Sequence, residues 1–353
     1  MLTYAVHAIR GAFALGLALL VVNGDADAAR RPARPRASAR RRIARPAVHR
    51  PFVPAVVVPA SASVRDVEIG EACRRGLGET RGAVVAMDPY TGRVISIVNP
   101  EDALLAAYQP CSVFKIVVAV AGLTEGIITP ETIHDCHGGC WLWPGHGPID
   151  LRRALAQSCN PYFEAVGERL GYDRVQRYAF LLGLGSPTGI NLEGEDAGRI
   201  PESVAQSRVG HLSSHAAGIK TSVVQIAVLM SAMVNGGVIY QPQVSGPGGF
   251  VPRERWRLPP RTVMGGLAEG FLGAVNEGSA SNAFDPDVIV AGKTGTCSGV
   301  GWFASYAPAD RPEIVIVTLV RPGNGHAASA VAGRIYQRLY KPAPLPTVSA
   351  GGD

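Results

Sequence analysis

The chain has 353 residues, of which 47% are hydrophobic, and it carries a formal net charge of +6. The positive charge is concentrated in a tail. Residues 30–50 contain nine arginines and no acidic residue, whereas from residue 51 onward 24 basic residues are balanced by 26 acidic ones. This distribution argues against a nucleic-acid surface on the folded part, which is long enough for one large domain or two smaller ones.

The amino terminus is predicted to carry an export signal. An apolar stretch over residues 11–22 follows Arg10, and Ala26-Asp27-Ala28 resembles a small-residue cleavage site. We interpret residues 1–28 as a signal peptide, with an uncleaved membrane anchor as the alternative, although the arginines that follow oppose translocation. Either interpretation places the folded part in the periplasm or on the outer face of the cytoplasmic membrane.

The composition also predicts where the folded part begins. Residues 29–62 are rich in Arg, Pro, Ala and Ser, which favours an extended, disordered linker. We expect one ordered domain over residues 63–342 and a flexible tail over residues 343–353.

Within this domain, predicted strands lie at both ends of the sequence and predicted helices lie between them. This order indicates an α+β fold, with one antiparallel sheet, flanking helices and an inserted all-helical subdomain. The predicted helices cover residues 64–77, 112–125, 149–158, 160–170, 173–182, 221–235, 262–276 and 327–339, and the predicted strands cover residues 82–88, 93–98, 288–291, 301–307 and 314–320.

The first candidate for chemistry is Ser112-Val113-Phe114-Lys115. Positions three apart share one face of a helix, so Lys115 can reach the Ser112 hydroxyl. A desolvated lysine has a lowered pKa and can act as the base for a serine nucleophile. The chain contains only four lysines among its 34 basic residues, which draws attention to each of them.

Two further motifs follow in the chain. Ser158 and Asn160 come at the end of a predicted helix, where a hydroxyl can relay a proton and an amide can hold a substrate carbonyl. Lys293, Thr294, Gly295 and Thr296 follow the apolar run 288–291. There Lys293 offers a charge to a substrate carboxylate, Gly295 leaves room for a ligand, and the Thr296 N–H is a candidate oxyanion donor together with that of Ser112.

The order S-x-x-K, S-x-N, K-T-G resembles the signature of the penicillin-binding proteins and serine β-lactamases. The likeness to the penicillin-binding transpeptidase domain covers about residues 66–340, in a short form without a pedestal or glycosyltransferase module. Beyond the three motifs it is carried by Gly82–Gly92, Tyr108–Ser112 (with Cys111 where glycine is usual), Gly145–Leu151, Asn160–Phe163, Gly198–Pro201, Asn235–Gly237 and Glu277–Ala280.

The resemblance implies a β-lactamase/transpeptidase-like fold and a D,D-transpeptidase or D,D-carboxypeptidase. Its substrate would be the D-alanyl-D-alanine end of peptidoglycan stem peptides, and β-lactams would acylate it. Other cell-wall synthesis proteins are possible partners, and no cofactor, metal or nucleic acid is implied. By the same resemblance, the catalytic residues would be Ser112, Lys115, Ser158, Asn160 and Lys293, and the substrate-binding residues Thr294, Gly295 and Thr296.

Two other functions remain open at this stage. A class D-like β-lactamase would share Ser112 and Lys115, but it usually has an apolar residue where Asn160 stands. It would also need a base for deacylation. A β-lactam sensor or cell-wall-binding module would acylate without turnover.

The chain contains six cysteines, an even number that permits disulfides in an exported protein. Cys136 and Cys140 without a second pair at ligand spacing are a poor zinc signal, so we expect a disulfide or free thiols there. If Ser112 and Thr296 share an oxyanion hole, the sulfurs of Cys111 and Cys297 lie close together. We therefore hypothesise a disulfide between them whose oxidation could gate the site.

The segment 209–221 looks longer than the short glycine-rich turn usual in the family. It contains His211 and His215, which we expect to be structural.

Overall fold

A computed structural model describes residues 55–57, 62–246, 249–259 and 264–341. Its α-helices are α1 (Val64–Leu77), α2 (Pro100–Ala103), α3 (Lys115–Thr124), α4 (Leu151–Ala156), α5 (Asn160–Leu170), α6 (Tyr172–Leu181), α7 (Val209–His215), α8 (Val223–Val234), α9 (Leu267–Asn276) and α10 (Gly325–Tyr340). Short 3-10 helices cover Cys111–Phe114, Gln206–Arg208 and Ser281–Ala283. Its strands are β1 (Val56–Val57), β2 (Gly82–Met87), β3 (Arg93–Val98), β4 (His134–Cys136), β5 (Gly147–Ile149), β6 (Val238–Tyr240), β7 (Gln243–Val244), β8 (Glu254–Arg257), β9 (Ala291–Cys297), β10 (Val300–Ala307) and β11 (Ile314–Val320).

Within these ranges one sheet joins the two ends of the domain. Its strand order is β1-β3-β2-β11-β10-β9, and β7 pairs in parallel with β3 while all other pairs are antiparallel. Two small hairpin-like sheets, β4–β5 and β6–β8, lie outside it. The predicted antiparallel sheet built from both ends of the chain is confirmed.

The sheet separates two apolar cores because alternate strand residues face opposite sides. On one face, Val84, Ala86 and Phe303 pack with buried side chains of α1, α9 and α10. On the other face, Val85 and Val317 pack with the helices inserted between β3 and β9. Helix α3 is buried along nearly its whole length, so it places its first residue, Lys115, deep inside the domain.

The helix predictions agree closely where local capping signals are strong. Helix α1 has the predicted bounds and begins at a capping box in which Ser63 and Asp66 bond each other's backbone N–H. Helix α5 also has the predicted bounds, and Asp150 caps α4 as expected. The predicted helix 112–125 begins instead as the 3-10 turn Cys111–Phe114 and becomes α-helical only at Lys115.

The strand predicted over 288–291 was placed too early in the chain. The observed strand β9 begins at Ala291 and runs through the third motif to Cys297. Its partner β10 pairs Tyr306 with Ala291, and Pro308, just beyond, has no N–H with which to extend the ladder. Val288 and Val290 are buried in the core that contains Val84, Ala86 and Phe303. This packing explains why they are apolar although they are not part of a strand.

The terminal predictions fall largely outside the described residues. This applies to the leader over 1–28, to the tail over 343–353 and to most of the linker over 29–62. Within the predicted disordered linker, however, Val56 and Val57 pair with Val98 and Ile97, so this part of the linker is a strand. In the described ranges, no helix combines the length and apolarity needed to cross a bilayer.

Candidate active site

The serine of the first motif lies on a turn packed against β9. Cys111 has a left-handed backbone (φ 53°), and the Gln109 carbonyl accepts a hydrogen bond from the Trp302 indole at 2.8 Å. A Cβ atom added to Gly295 would lie 2.7 Å from the Pro110 carbonyl oxygen. The Cβ side of Gly295 therefore packs against the backbone of the Ser112 turn, and the role of Gly295 in ligand binding stays a prediction.

Lys115 is fully buried behind this turn. Its Nζ donates to the Ser158 carbonyl at 2.7 Å, to Ser158 Oγ at 3.2 Å and to Asn160 Oδ1 at 2.7 Å. Burial lowers the pKa of Lys115 to about 7, so a large fraction of this amine is neutral near physiological pH. Among the described contacts the predicted hydrogen bond from Lys115 to the Ser112 hydroxyl is not formed, because Ser158 and Asn160 hold the amine.

Lys293 is also fully buried. Its Nζ donates to Ser158 Oγ at 2.8 Å and to the Thr294 carbonyl at 2.9 Å. Burial and the charge of Lys115 hold its pKa well below the usual value. The predicted contact with a substrate carboxylate is not what this geometry provides, since Lys293 lies behind Ser158. The Ser158 hydroxyl bridges the two lysine amines and can pass a proton between them.

A cavity of about 600 Å³ opens in front of these groups. Of the predicted site residues, Lys115, Lys293 and Gly295 lie behind its wall and the other five line it. The lining residues are Ser112, Trp141, Gln157, Ser158, Asn160, His215, Glu277, Gly278, Ser279, Thr294, Thr296, Asn324, Gly325 and His326.

Sequence reasoning missed several of these residues. Ser279 Oγ lies 2.6 Å from Thr294 Oγ1, and Thr296 Oγ1 accepts from the Gly325 N–H at 2.8 Å, so β9 is tied to both neighbouring segments. Ser279 had a signal, because it lies in a run that carries the family resemblance. No sequence signal pointed to Asn324, which caps α10. It comes late in the chain and reaches the cavity only through the folding of the sheet.

The disulfide expected between Cys111 and Cys297 is present. The two Cα atoms are 5.7 Å apart and the residues are separated by 186 positions in the sequence. The bond links the residue before Ser112 to the residue after Thr296. It therefore fastens the nucleophile turn to the strand that carries the third motif.

Four potential metal ligands meet beside the second motif. Ligand atoms of Cys136, Cys140, His146 and Cys159 all lie within 4.8 Å of one another, and His146 Nδ1 is 3.5 and 3.4 Å from the first two sulfurs. Tetrahedral zinc with bonds of about 2.0–2.3 Å has ligand–ligand edges of roughly 3.5–3.8 Å. These residues therefore fit a Cys₃His zinc site.

The sequence spacing favoured free thiols or a disulfide at Cys136 and Cys140, and no metal was predicted. The fold brings together four potential ligands that are not at a recognisable spacing in the sequence. Pairing of β4 with β5 brings His146 to Cys136, and the turn before α5 adds Cys159 from the middle of the second motif. Burial raises the pKa of the Cys159 thiol, and a bound cation would offset this shift because it stabilises the thiolate.

Reduction of the disulfide is expected to destabilise the domain by about 2–4 kcal/mol, because it releases a long loop in the unfolded chain. Urea unfolding with and without a thiol reductant measures the difference. In the variant Cys297→Ala, which lacks the bond, reductant should leave the midpoint unchanged. An equal response of this variant would contradict the assignment.

Zinc added to the reduced protein is expected to bind with about one ion per chain, measured by elemental analysis after gel filtration. Cobalt in its place should give the absorption bands of tetrahedral thiolate coordination. Cys140→Ser should lower the affinity at least about tenfold, since it removes one of four ligands. Cys73→Ala, at a free cysteine outside this cluster, is the control. Equal zinc content in Cys140→Ser and the parent protein would contradict the site.

Known proteins resemble this chain in sequence and in fold. The family model described as the penicillin binding protein transpeptidase domain matches residues 82–341. Among curated relatives, a peptidoglycan D,D-transpeptidase MrdA of Haemophilus influenzae is 28% identical over 77% of this chain and 54% of its own length. Stage V sporulation protein D of Bacillus subtilis is 27% identical over 67% of this chain and 44% of its own. The chain thus spans about half the length of these relatives.

Solved structures agree on the fold. A Helicobacter pylori penicillin-binding protein in complex with MreC has a TM-score of 0.68 at 18% identity, over 78% of this chain and 63% of that one. Penicillin-binding protein A of Mycobacterium tuberculosis, as its imipenem acyl-enzyme, has a TM-score of 0.65 at 23% identity, with 78% of each chain covered. Since the family model spans most of the sequence, the chain belongs to the penicillin-binding protein transpeptidase domain family.

Proposed function

We propose that this protein is a D,D-transpeptidase that acts on peptidoglycan stem peptides through a Ser112 acyl-enzyme and is acylated by β-lactams. The observation that carries the proposal is the buried chain Lys115–Ser158–Lys293 behind the serine. It provides a lysine that is largely neutral near pH 7 and a hydroxyl relay. The names of the curated relatives support the same activity.

In the acylation step, Ser112 Oγ attacks the carbonyl carbon of the D-alanyl-D-alanine peptide bond. The hydroxyl proton passes to Lys115, either directly once substrate displaces a partner of the amine or through Ser158. The developing oxyanion is stabilised by the backbone N–H groups of Ser112 and Thr296. The proton then reaches the leaving amine through Ser158, and D-alanine departs.

Polar side chains of the cavity wall can contact the substrate. Lys293 is buried and cannot reach the terminal carboxylate of the substrate. The hydroxyls of Ser279, Thr294 and Thr296 line the cavity and can donate hydrogen bonds to this carboxylate instead. They lie beside the amino-terminal end of α10, whose dipole favours negative charge.

The proposal also includes export of the protein, its location and its partners. An apolar leader over residues 1–28 would carry the domain to the periplasm or to the outer face of the cytoplasmic membrane, where peptidoglycan is assembled. Structural neighbours occur in complex with MreC and in a peptidoglycan synthase complex, which supports cell-wall synthesis proteins as partners of this chain.

Incubation with a chromogenic cephalosporin is expected to give a stable adduct of one β-lactam per chain, detected by intact mass. Ser112→Ala should abolish the adduct, because it removes the nucleophile, whereas Ser281→Ala on the surface serves as the control. Rapid release of hydrolysed cephalosporin would identify a β-lactamase instead. A wild-type protein that forms no adduct and gives no turnover would refute the acyl-enzyme altogether.

The acylation rate is expected to fall about tenfold from pH 8 to pH 6, because only the neutral amine of Lys115 can accept the Ser112 proton and its pKa is about 7. Stopped-flow measurement of cephalosporin acylation gives this profile. Lys115→Arg, which keeps the charge at every pH, should be inactive throughout. A flat profile between pH 6 and pH 8 would show that Lys115 is not the base.

A further inference from the structure

His215 lies in the wall of the active-site cavity, although its sequence context indicated a structural role. It is the last residue of α7, and Ala216 follows in the left-handed conformation with φ 57°. The His215 carbonyl accepts a hydrogen bond from Gln109 Nε2 at 2.7 Å. The backbone of His215 is therefore fixed to the segment that leads into the Ser112 turn.

The contacts of the ring define its tautomer. Asn160 Oδ1 accepts from Lys115, so Asn160 Nδ2 is the donor that faces His215 Nε2 at 3.4 Å. On the other side, His215 Nδ1 lies 2.5 Å from Ser214 Oγ, which donates to Glu164 Oε1 at 2.9 Å. Nδ1 therefore carries the proton, and the lone pair of Nε2 is directed toward the second motif.

The same contacts give Glu164 and His215 hydrogen-bond partners without a metal. Glu164, His211 and His215 have ligand atoms close together, but the Ser214 hydroxyl already bridges the carboxylate and the imidazole. Hydrogen bonds therefore satisfy Glu164 and Nδ1 of His215, and the ring of His211 stacks on that of His215 with centroids 4.4 Å apart.

The surroundings of His215 favour the neutral ring. Burial lowers its pKa, and His211 on α7 and Lys115 on α3 lower it further, while Glu164 on α5 opposes them. The side chain remains 35% exposed, so the ring is accessible from the cavity. His215 therefore presents a basic nitrogen to the site near physiological pH.

The second half of the proposed reaction needs such a group. A primary amine in water is protonated, and it can attack an ester only after it has lost that proton. Both lysine amines in the site donate to Ser158, and neither lines the cavity. Two other groups in the described lining can accept a proton: Glu277, which is paired with Arg152, and His326 on α10. Among these groups, Nε2 of His215 is the acceptor that lies beside Asn160.

Building on the proposed function, we propose that His215 is the general base that deprotonates the acceptor amine during acyl transfer. The ammonium group of the acceptor peptide displaces Asn160 Nδ2 from Nε2 and gives one proton to this nitrogen, and the amine nitrogen then attacks the ester carbonyl carbon. The new C–N bond forms as the C–O bond to Ser112 breaks. The nitrogen's second proton returns to Ser112 Oγ through Ser158, and the imidazolium releases its proton to solvent.

A thioester analogue of the stem peptide, with D-alanine as the amine, tests this role because acylation and transfer can be timed separately by mass spectrometry. His215→Gln should slow transfer to the amine about 100-fold and acylation by less than about threefold. In the wild type, the rate of transfer should rise with pH as His215 loses its proton. This rise should be absent from the pH profile of the variant. Added imidazole should restore transfer in His215→Ala.

His211→Gln is the matched control, because it removes the stacked ring while leaving Nε2 of His215 in the cavity. This variant should keep both rates within about twofold of the wild type at high pH. Because His211 lowers the pKa of His215, its removal should shift the rise of the transfer rate to higher pH. Equal slowing of acylation and transfer in His215→Gln would overturn the proposal and leave His215 as a support for Asn160. Unchanged transfer would also overturn it. A wild-type protein that neither the thioester nor a β-lactam acylates would instead refute the acyl-enzyme itself.

Discussion

Two lysine amines share one serine hydroxyl in a space closed to solvent, and much of the site follows from this contact. Lys115 and Lys293 are both fully buried around Ser158 Oγ. Two cations so close together in a medium of low polarity cannot both be stable, so the pair is driven toward a single shared charge. The burial that costs stability thus also creates the neutral amine that a serine nucleophile requires.

Ser158 can occupy this position because its backbone is held in an uncommon conformation between two helices. It has φ 54°, and its N–H and that of Cys159 bond back to the last turns of α4. A Cβ on Gly278 would lie 2.3 Å from the Ala156 carbonyl, so the segment after α9 packs directly on the backbone before Ser158. Close backbone packing, rather than a long side chain, therefore fixes the relay hydroxyl.

The sequence predicted best what local signals determine. A capping box marks the start of α1, Pro161 and Gly171 mark the ends of α5, and the three motifs identified the residues that meet at the site. Burial could not be predicted in this way: Lys293 was expected to meet a substrate carboxylate, and its position behind Ser158 follows only from the register of β9 with β10. Nor did the sequence indicate that the Cβ side of Gly295 packs against the backbone of the Ser112 turn. The potential metal ligands His146 and Cys159 come close to Cys136 only through pairing of β4 with β5 and the turn into α5.

The three motifs are held by contacts of several kinds. The Cys111–Cys297 disulfide fastens the nucleophile turn to the third motif, and the thiol–imidazole cluster around Cys159 holds the second. The Glu164–Ser214–His215 chain meets the second motif from the opposite side, at Asn160. An acyl-enzyme must wait for its acceptor, so the site has to keep one geometry through two successive reactions. Fixing the motifs by several contacts preserves the alignment of Ser112, Ser158 and the cavity wall while one peptide leaves and another enters.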